Sequence, residues 1–272
     1  MRLQVAIMAA RGRTKIRTAM LARLAGPGGL FTCPLVRPPR IYFAGPLLDL
    51  LPQLPPGHLL QWDLVEIKPG PPLVPQFWRV FLEADPTADL LFLEDDAWIV
   101  EDGVRRIGSM DLPAWAGAVS YFDFRNEGVR SDPGALGAFW PMPIGRDLWG
   151  TQCVRVPAAA VAELAAIARR QDVFTRAAKN TPFAIMNAWD GWLGRAVESI
   201  GLRMTLHTPS FVQHLGVADS LISPMDHRRP IARNFPEAWP TIVEDVDVYW
   251  CGFHGTRHDE PSICPETPNP RP

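Results

Sequence analysis

The chain has 272 residues, a length that suits one large domain or two small ones. Hydrophobic residues make up 47% and charged residues 21%, so the chain can bury a sizeable core. The formal net charge of −2 excludes a globally basic nucleic-acid coat protein, and no apolar run is long enough to predict a membrane span. The short apolar start precedes arginines, the reverse of a secretory signal, and the four cysteines form no dense framework. We therefore expect a cytoplasmic protein with reduced thiols.

The first hundred residues alternate predicted strands and helices. The predicted strands are Leu3–Ala9, Arg40–Phe43, Asp63–Ile67 and Asp89–Leu93. The predicted helices are Lys15–Ala25, which ends at a glycine-rich run, and the amphipathic Pro75–Glu83. Residues 46–54 contain too many prolines for a long helix. This alternation predicts an α/β fold with a Rossmann-like, mostly parallel central sheet flanked by helices.

The second half of the chain is less regular. Its predicted strands are Ala116–Phe122, Thr151–Val156 and Arg203–His207. Its predicted helices are Pro157–Arg170 and Asp190–Ile200, and residues 134–143 are expected to form a loop or an irregular hairpin. We expect one compact domain over residues 1–254, with halves at 1–100 and 101–254, and an exposed proline-rich tail over 255–272.

Three carboxylates, Glu94, Asp95 and Asp96, directly follow the strand predicted at Asp89–Leu93. Like charges beside an apolar sheet repel one another and lose hydration, and a bound divalent cation offsets both costs. Oxygen ligands suit Mg²⁺ or Mn²⁺, which bind substrate phosphates through one or two carboxylates. The alternative is a solvated acidic turn at a strand end.

Two later segments carry further candidate residues. His214 follows an apolar stretch, and a neutral imidazole is a possible third protein ligand for the same metal. The alternative for His214 is a histidine satisfied by hydrogen bonds. Asp190 lies at a predicted helix start between Trp189 and Trp192, where it is either an N-cap or a general base.

The FLEDD strand end, the WDGWLG helix start and the PSFVQHLG segment, in this order, resemble the GT-A superfamily of nucleotide-sugar-dependent glycosyltransferases. The similarity extends from Leu3 to Leu221 as an order of elements. It implies a GT-A-like domain in which residues 1–100 bind the nucleotide sugar and residues 101–254 form an irregular acceptor half.

The resemblance also implies roles for individual residues. In that superfamily an acidic DxD-type motif holds a divalent metal, here expected to be Mn²⁺ or Mg²⁺, on the donor diphosphate. Asp96 and Glu94 match this role with Asp95 nearby, although Glu-Asp-Asp is a variant of Asp-x-Asp. His214 matches a late histidine that often completes the metal site. Asp190 matches the position of the base that deprotonates the acceptor in inverting members.

Arginines and tryptophans supply further candidate contacts. Arginine's planar fork suits phosphate oxygens, and flat rings pack against sugar faces, although solvated charge and core packing are the alternatives. The expected donor-binding residues are Ala9, Ala10, Arg11, Arg13 and Asp95. The expected acceptor-binding residues are Trp149, Gly150, Thr151, Trp189 and Trp192. Lys15 and Arg17 are expected on the surface of the first helix.

The predicted activity is the metal-dependent transfer of a hexose from a nucleotide diphosphate sugar, expected to be a UDP-sugar, to an acceptor hydroxyl. The acceptor is a glycan or saccharide, or else a hydroxymethylated DNA base as in phage enzymes, in which case the protein acts in the host cytoplasm. Basic clusters at residues 11–17 and 227–229 would then contact the phosphate backbone, unless they are ordinary surface charge.

Two other classes of function stay open. A metal-dependent phosphohydrolase or nuclease would use the same carboxylates but needs a second acidic cluster. A non-catalytic nucleotide-sugar-binding module would keep the fold without turnover.

A separate metal site is also possible near the C-terminus. Cys251, His254, His258 and Cys264 have the spacing C-x2-H-x3-H-x5-C, and structural zinc takes four such ligands. The spacing matches no standard zinc finger, and neighbouring glycines disfavour the helix that would align the histidines. His254 is alternatively a third ligand for the catalytic metal.

Overall fold

The computed structural model describes residues 2–9, 13–67, 73–122, 138–142, 144, 151–170, 189–215, 235–238, 240, 249–251 and 256–258. The described strands are β1 (Leu3–Ala9), β2 (Arg40–Phe43), β3 (Asp63–Glu66), β4 (Asp89–Glu94), β5 (Ala97–Ile99), β6 (Ala116–Ser120), β7 (Ala138–Pro141), β8 (Cys153–Val156), β9 (Arg203–Thr208), β10 (Val212–His214), β11 (Tyr249–Cys251) and β12 (Thr256–His258). The described α-helices are α1 (Thr14–Ala25), α2 (Leu47–Leu50), α3 (Leu73–Leu82), α4 (Gly103–Ser109), α5 (Ala158–Arg170) and α6 (Trp189–Ser199).

Within the described ranges, eight strands form one sheet in the order β3-β2-β1-β4-β8-β6-β9-β7. The neighbours β3, β2, β1 and β4 are parallel, and β6 is parallel to β9. The strands β8 and β7 run in the opposite direction. Six of these eight strands therefore share one direction, and the predicted α/β fold with a mostly parallel sheet is confirmed.

Both faces of the sheet are buried, because apolar residues along its central strands alternate between two cores. In β4, Leu91 and Leu93 belong to the first core cluster, while Leu90 and Phe92 belong to the second. Helices α1 and α4 cover the first face, and α3, α5 and α6 cover the second. Continuous apolar strands are typical of parallel sheets that helices cover on both sides.

Most of the predicted elements occur, with boundaries that shift by a few residues. In the segment at 134–143, predicted to be a loop or an irregular hairpin, residues 138–141 form β7 and pair with β9, while 134–137 and 143 lie outside the described residues. Pro141 is tolerated there, since β7 is the outermost described strand and one side of it needs no ladder hydrogen bonds. The proline-rich stretch forms only α2 and the short 3-10 helix Leu51–Gln53, as predicted.

A late segment, 235–238, returns to the N-terminal half. Nη2 of Arg23 lies 2.7 Å from Oε2 of Glu237, and the Glu101 amide donates to Oε1 of the same carboxylate at 2.9 Å. Phe235 packs against the first core cluster. These contacts attach the segment to the end of α1 and to the residues that follow β5.

The strands β11 and β12 form a small antiparallel pair, so residues 256–258 of the predicted tail are in a strand. Cys251 and His258 lie in this pair. His254 and Cys264 lie outside the described residues, and so does the predicted zinc site that needs all four. No helix in the described ranges is long and apolar enough to cross a membrane.

Candidate functional site

The acidic triplet lies at the carboxyl edge of the sheet, beside the start of α1. The strands β1 and β4 are parallel neighbours in which Met8 pairs with Glu94, so the residues after both strands meet at this edge. Arg13, the residue before α1, faces the triplet from the β1 side. Open α/β sheets bind their ligands at this edge.

Three elements fix the backbone of the triplet. The amide of Asp95 donates to the Met8 carbonyl at 3.1 Å, and the amide of Glu94 donates to the Gln152 carbonyl at 3.0 Å. The Asp96 carbonyl accepts a hydrogen bond of 2.8 Å from the amide of Leu215, which follows β10. Because β10 pairs with β5 in antiparallel register, this late segment is placed directly against the triplet.

Asp95 is a buried ion-pair partner of two arginines. Its Oδ1 lies 3.2 Å from Nη1 of Arg13, and its Oδ2 lies 2.9 Å from Nη1 of Arg17. Arg17 in turn donates from Nε to Oε1 of Gln53 at 2.8 Å, and its guanidinium lies over the Phe43 ring. With 2% exposure, the Asp95 side chain is held inside this network.

Asp96 is fully buried and charged. Its Oδ2 forms an ion pair with Nη1 of Arg13 and a hydrogen bond of 2.8 Å with Nε2 of His214. Burial by itself would raise the pKa of Asp96, but Arg13 and His214 outweigh burial and lower it well below its usual range. Among the described residues, Oδ1 of Asp96 has no hydrogen-bond partner.

His214 lies beside Asp96 as a hydrogen-bond donor. Burial lowers the pKa of the imidazole, but the Asp96 carboxylate overcomes this effect and raises it above the usual value. Protonation at Nε2 lets the ring donate to Asp96, while Nδ1 is buried without a partner in the described ranges. The predicted histidine is therefore at the triplet, in contact with a carboxylate.

Glu94 takes up a proton at a higher pH than Asp96 does, because its pKa is raised. Oγ1 of Thr151 donates to its Oε1 at 2.7 Å. Burial and then the charge of Asp96 raise the pKa of Glu94 to about 7, against the opposing effects of Thr151, His214 and Arg13. Glu94 thus exchanges a proton near neutral pH, whereas Asp96 stays ionised.

The donor atoms of this cluster fit a divalent cation only in part. No group of three or more His, Cys, Asp or Glu side chains in the described ranges is arranged to hold a metal ion. Both oxygens of Asp95 contact arginines, whereas Oδ1 of Asp96 and the carboxylate of Glu94 are left for a ligand. Mg²⁺ and Mn²⁺ often take one or two carboxylates and complete their shell with water and phosphate oxygens. Asp96 and Glu94 fit such a cation.

The predicted donor-site and base residues fall in three groups. Ala9 is buried at the end of β1, and Arg13 lies in the ion-pair network. Ala10 and Arg11 lie outside the described residues. Asp190 is in the first turn of α6, and this helix leads through Gly201 into β9, so it begins at the carboxyl edge of the sheet.

Among the predicted acceptor residues, Thr151 is buried and donates a hydrogen bond to Glu94. Trp192 is 3% exposed and belongs to the second core cluster, where it packs against Trp78. For Trp189 the structure describes only the backbone, at the start of α6. Trp149 and Gly150 lie outside the described residues.

The prediction for Arg17 is wrong, because its side chain is buried at 1% exposure instead of lying on the helix surface. Arg13 and Arg17 are four residues apart on the same face at the start of α1, and this face meets Asp95. This four-residue spacing is the feature of the sequence that indicates a shared partner for the two arginines. Nothing in the sequence indicated Gln53, which reaches Arg17 from the segment after α2.

No model of a known protein family matches the chain. No curated protein matches it either. Among solved structures, the apo form of the glycosyltransferase GlyE from Streptococcus pneumoniae TIGR4 is similar, with 14% identity and a TM-score of 0.44 over 73% of this chain and 44% of that one. The galactosyltransferase LgtC, in complex with donor and acceptor sugar analogs, gives 11% identity and a TM-score of 0.43 over 74% of this chain and 67% of that one.

A putative glucose-1-phosphate thymidylyltransferase from Bacillus anthracis gives 13% identity and a TM-score of 0.39 over 79% of this chain and 90% of that one. The present chain spans less than half of the length of GlyE.

Proposed function

We propose that the chain is a glycosyltransferase that uses a nucleotide diphosphate sugar as donor. The observation that supports this most strongly is the position of Asp96 at the carboxyl edge of the sheet beside the start of α1, where its Oδ1 has no partner among the described residues. The GT-A resemblance of the FLEDD, WDGWLG and PSFVQHLG segments agrees with this position. A divalent cation, Mn²⁺ or Mg²⁺, would be held by Asp96 and Glu94.

In this proposal the cation, when bound, stabilises the negative charge that develops on the leaving nucleoside diphosphate. The chain's own residues position the ligands for it. His214 orients the Asp96 carboxylate through the Nε2 hydrogen bond, and Thr151 orients Glu94. Asp95 anchors the turn between these two ligands through Arg13 and Arg17.

Asp190 is the proposed base that takes the proton of the acceptor hydroxyl. It lies in the first turn of α6, the helix that precedes β9. A carboxylate can act in this way only if it is ionised and within hydrogen-bond reach of the hydroxyl. The donor is proposed to be a UDP-sugar that carries a hexose, and the acceptor a saccharide hydroxyl.

A DNA acceptor is not supported by the described residues. The first basic cluster was expected to face a phosphate backbone, yet two of its arginines, Arg13 and Arg17, are buried in ion pairs with Asp95 and Asp96. Buried, paired cations do not provide the exposed charge that phosphate-backbone binding needs. A saccharide acceptor has no such requirement.

The experiment that tests the proposal is a screen of UDP-, GDP-, CMP- and TDP-sugars for nucleotide release, with and without Mn²⁺. We expect release from one nucleotide class, dependent on Mn²⁺ and lost in Asp96→Asn. Glu163→Gln, on an exposed position of α5, is the matched carboxylate control. Donor binding without release would indicate a binding module, and cleavage of a phosphodiester without sugar transfer would indicate the phosphohydrolase alternative.

A further inference from the structure

Arg13 places a positive charge between the two aspartates of the triplet. A single nitrogen, Nη1, contacts Oδ1 of Asp95 and Oδ2 of Asp96. The three carboxylates raise the pKa of Arg13 although burial opposes this, so the guanidinium stays charged. The chain thus supplies its own counter-ion to the carboxylates that are proposed to meet a metal.

Among the residues that the structure describes, the remaining donor atoms are too few to hold a divalent cation by themselves. Oδ2 of Asp96 is shared between Arg13 and His214, and Asp95 is bound by both arginines. This leaves Oδ1 of Asp96 and the carboxylate of Glu94, whereas Mg²⁺ or Mn²⁺ needs about six ligands. For the described part of the chain, water or a diphosphate is the source of the other ligands.

The two arginines differ in how firmly they are fixed. Arg17 is held by Asp95, by Gln53 and by the Phe43 ring, with 1% of its side chain exposed. Arg13 has 10% of its side chain exposed, and its Nε has no hydrogen-bond partner among the described residues. Arg13 is therefore the cation that can move away from Asp96.

We infer that Arg13 is an internal counter-ion that competes with the divalent cation for Asp96. A divalent cation would therefore bind weakly to the protein alone, and it would bind more tightly in the presence of a donor diphosphate. Arg13 leaves Asp96 when the cation binds. This inference rests on the metal position of the proposed function, but it does not depend on which sugar is transferred or whether transfer occurs.

The test is a titration of the protein with Mn²⁺ alone, in which the electron paramagnetic resonance signal of free Mn²⁺ reports how much is bound. In Arg13→Gln the competing charge is absent, and we expect Mn²⁺ to bind about tenfold more tightly or better than in the unaltered protein. Arg13→Lys keeps the charge and should bind as weakly as the unaltered protein. Arg23→Gln removes an arginine from the same helix far from the triplet and should have no effect.

Adding Asp96→Asn to Arg13→Gln should abolish the gain, which locates the tighter binding at Asp96. If Arg13→Gln does not fold, Arg13→Met keeps the apolar stem and serves in its place. Equal Mn²⁺ affinity in the unaltered protein and the uncharged variants, or weaker affinity in those variants, overturns the inference. Tighter Mn²⁺ binding in a protein that releases no nucleotide from any sugar donor would support the counter-ion role and reject the proposed transfer.

Discussion

Nε2 of His214 lies 2.8 Å from Oδ2 of Asp96, although the two residues are 118 positions apart in the chain. The pairing of β10 with β5 creates this contact, since His214 is in register with Ala97, the residue after Asp96. The contact occupies one carboxylate oxygen and leaves the other without a partner in the described ranges. The histidine thereby determines which oxygen of Asp96 is available to a ligand.

Substitution by asparagine should have different effects at Asp96 and at Asp95: it should strongly lower activity at Asp96 and mainly lower stability at Asp95. Asp96→Asn should lower Mn²⁺-dependent nucleotide release by about 100-fold or more, because the direct ligand is lost and metal stabilisation of the leaving group contributes several kcal/mol. The variant should also have a lower melting temperature, because it weakens a buried partner of Arg13 and His214. Asp95→Asn should mainly lower stability. Measured initial rates and melting curves of both variants decide this, and an active Asp96→Asn would contradict the metal role.

The buried pair of Asp95 and Arg17 should show strong coupling in stability. Replacing one partner, as in Arg17→Met, leaves a buried charge with less compensation, and such changes cost about 3–5 kcal/mol. The double variant Asp95→Asn with Arg17→Met should cost less than the sum of the single ones, with a coupling of about 1–3 kcal/mol.

The free energies of unfolding in urea measure this coupling. Arg23→Gln is the control, since its ion pair with Glu237 is partly exposed and should contribute no more than about 1 kcal/mol. Strict additivity of the Asp95 and Arg17 substitutions would show that the network is not coupled.

Glu94 should make the metal-free protein less stable as the pH rises through neutrality. Its pKa is about 7 in the folded protein against 4.5 as its usual value, so the folded state binds more protons between these two pH values. Stability therefore falls as the pH rises from about 5 to 7, by an amount on the order of 1–3 kcal/mol. Glu94→Gln should flatten this dependence.

The measurement is urea unfolding at pH 5, 6, 7 and 8 in the presence of a chelator. The pKa of His214 is also raised in the folded protein, so His214 stabilises the folded state below its usual pKa, and this stabilisation is lost as the pH rises. A shallow fall of stability with pH should therefore persist in Glu94→Gln. Glu163→Gln on α5 should keep the full slope. An unchanged slope in Glu94→Gln would show that the burial of Glu94 has no consequence for its ionisation.

Asp190→Asn should slow sugar transfer without weakening donor binding. A lost general base lowers the rate by about 10²–10⁴-fold, while the dissociation constant of the donor stays the same because the metal ligands are intact. Donor binding by calorimetry and transfer rates separate the two effects. Glu198→Gln, two turns later on α6, is the matched control, and equal losses of binding and rate in Asp190→Asn would identify a structural role.

The order of strands and helices follows from local patterns in the sequence, and so does the acidic turn. The central strand β4 is apolar from Leu90 to Leu93 because both of its faces are buried, and Gly26 and Gly201 follow the ends of α1 and α6. The contacts of the triplet are long-range, and the local periodicity of the sequence does not specify which residues pair with which. Arg17 was expected in solvent because its partner, Asp95, lies 78 positions later.

Thr151 shows why strand direction matters for the site. Thr151 was expected to contact the acceptor, and β8 runs antiparallel to β4. The residues that precede β8 are therefore the ones that reach the triplet, and Thr151 hydrogen-bonds Glu94 from there. Strand direction depends on the pairing of the whole sheet, which the alternation of elements does not specify.

The pairing of β1 with β4 has a consequence for changes in chain length. Successive residues of β4 enter opposite cores, so one residue inserted into this strand would exchange Leu91 and Phe92 between the two faces. The same insertion would carry the carboxylates about 3.3 Å along the strand, away from the guanidiniums of α1. Insertions and deletions that preserve the protein must therefore fall outside β1 and β4, in the connections between them.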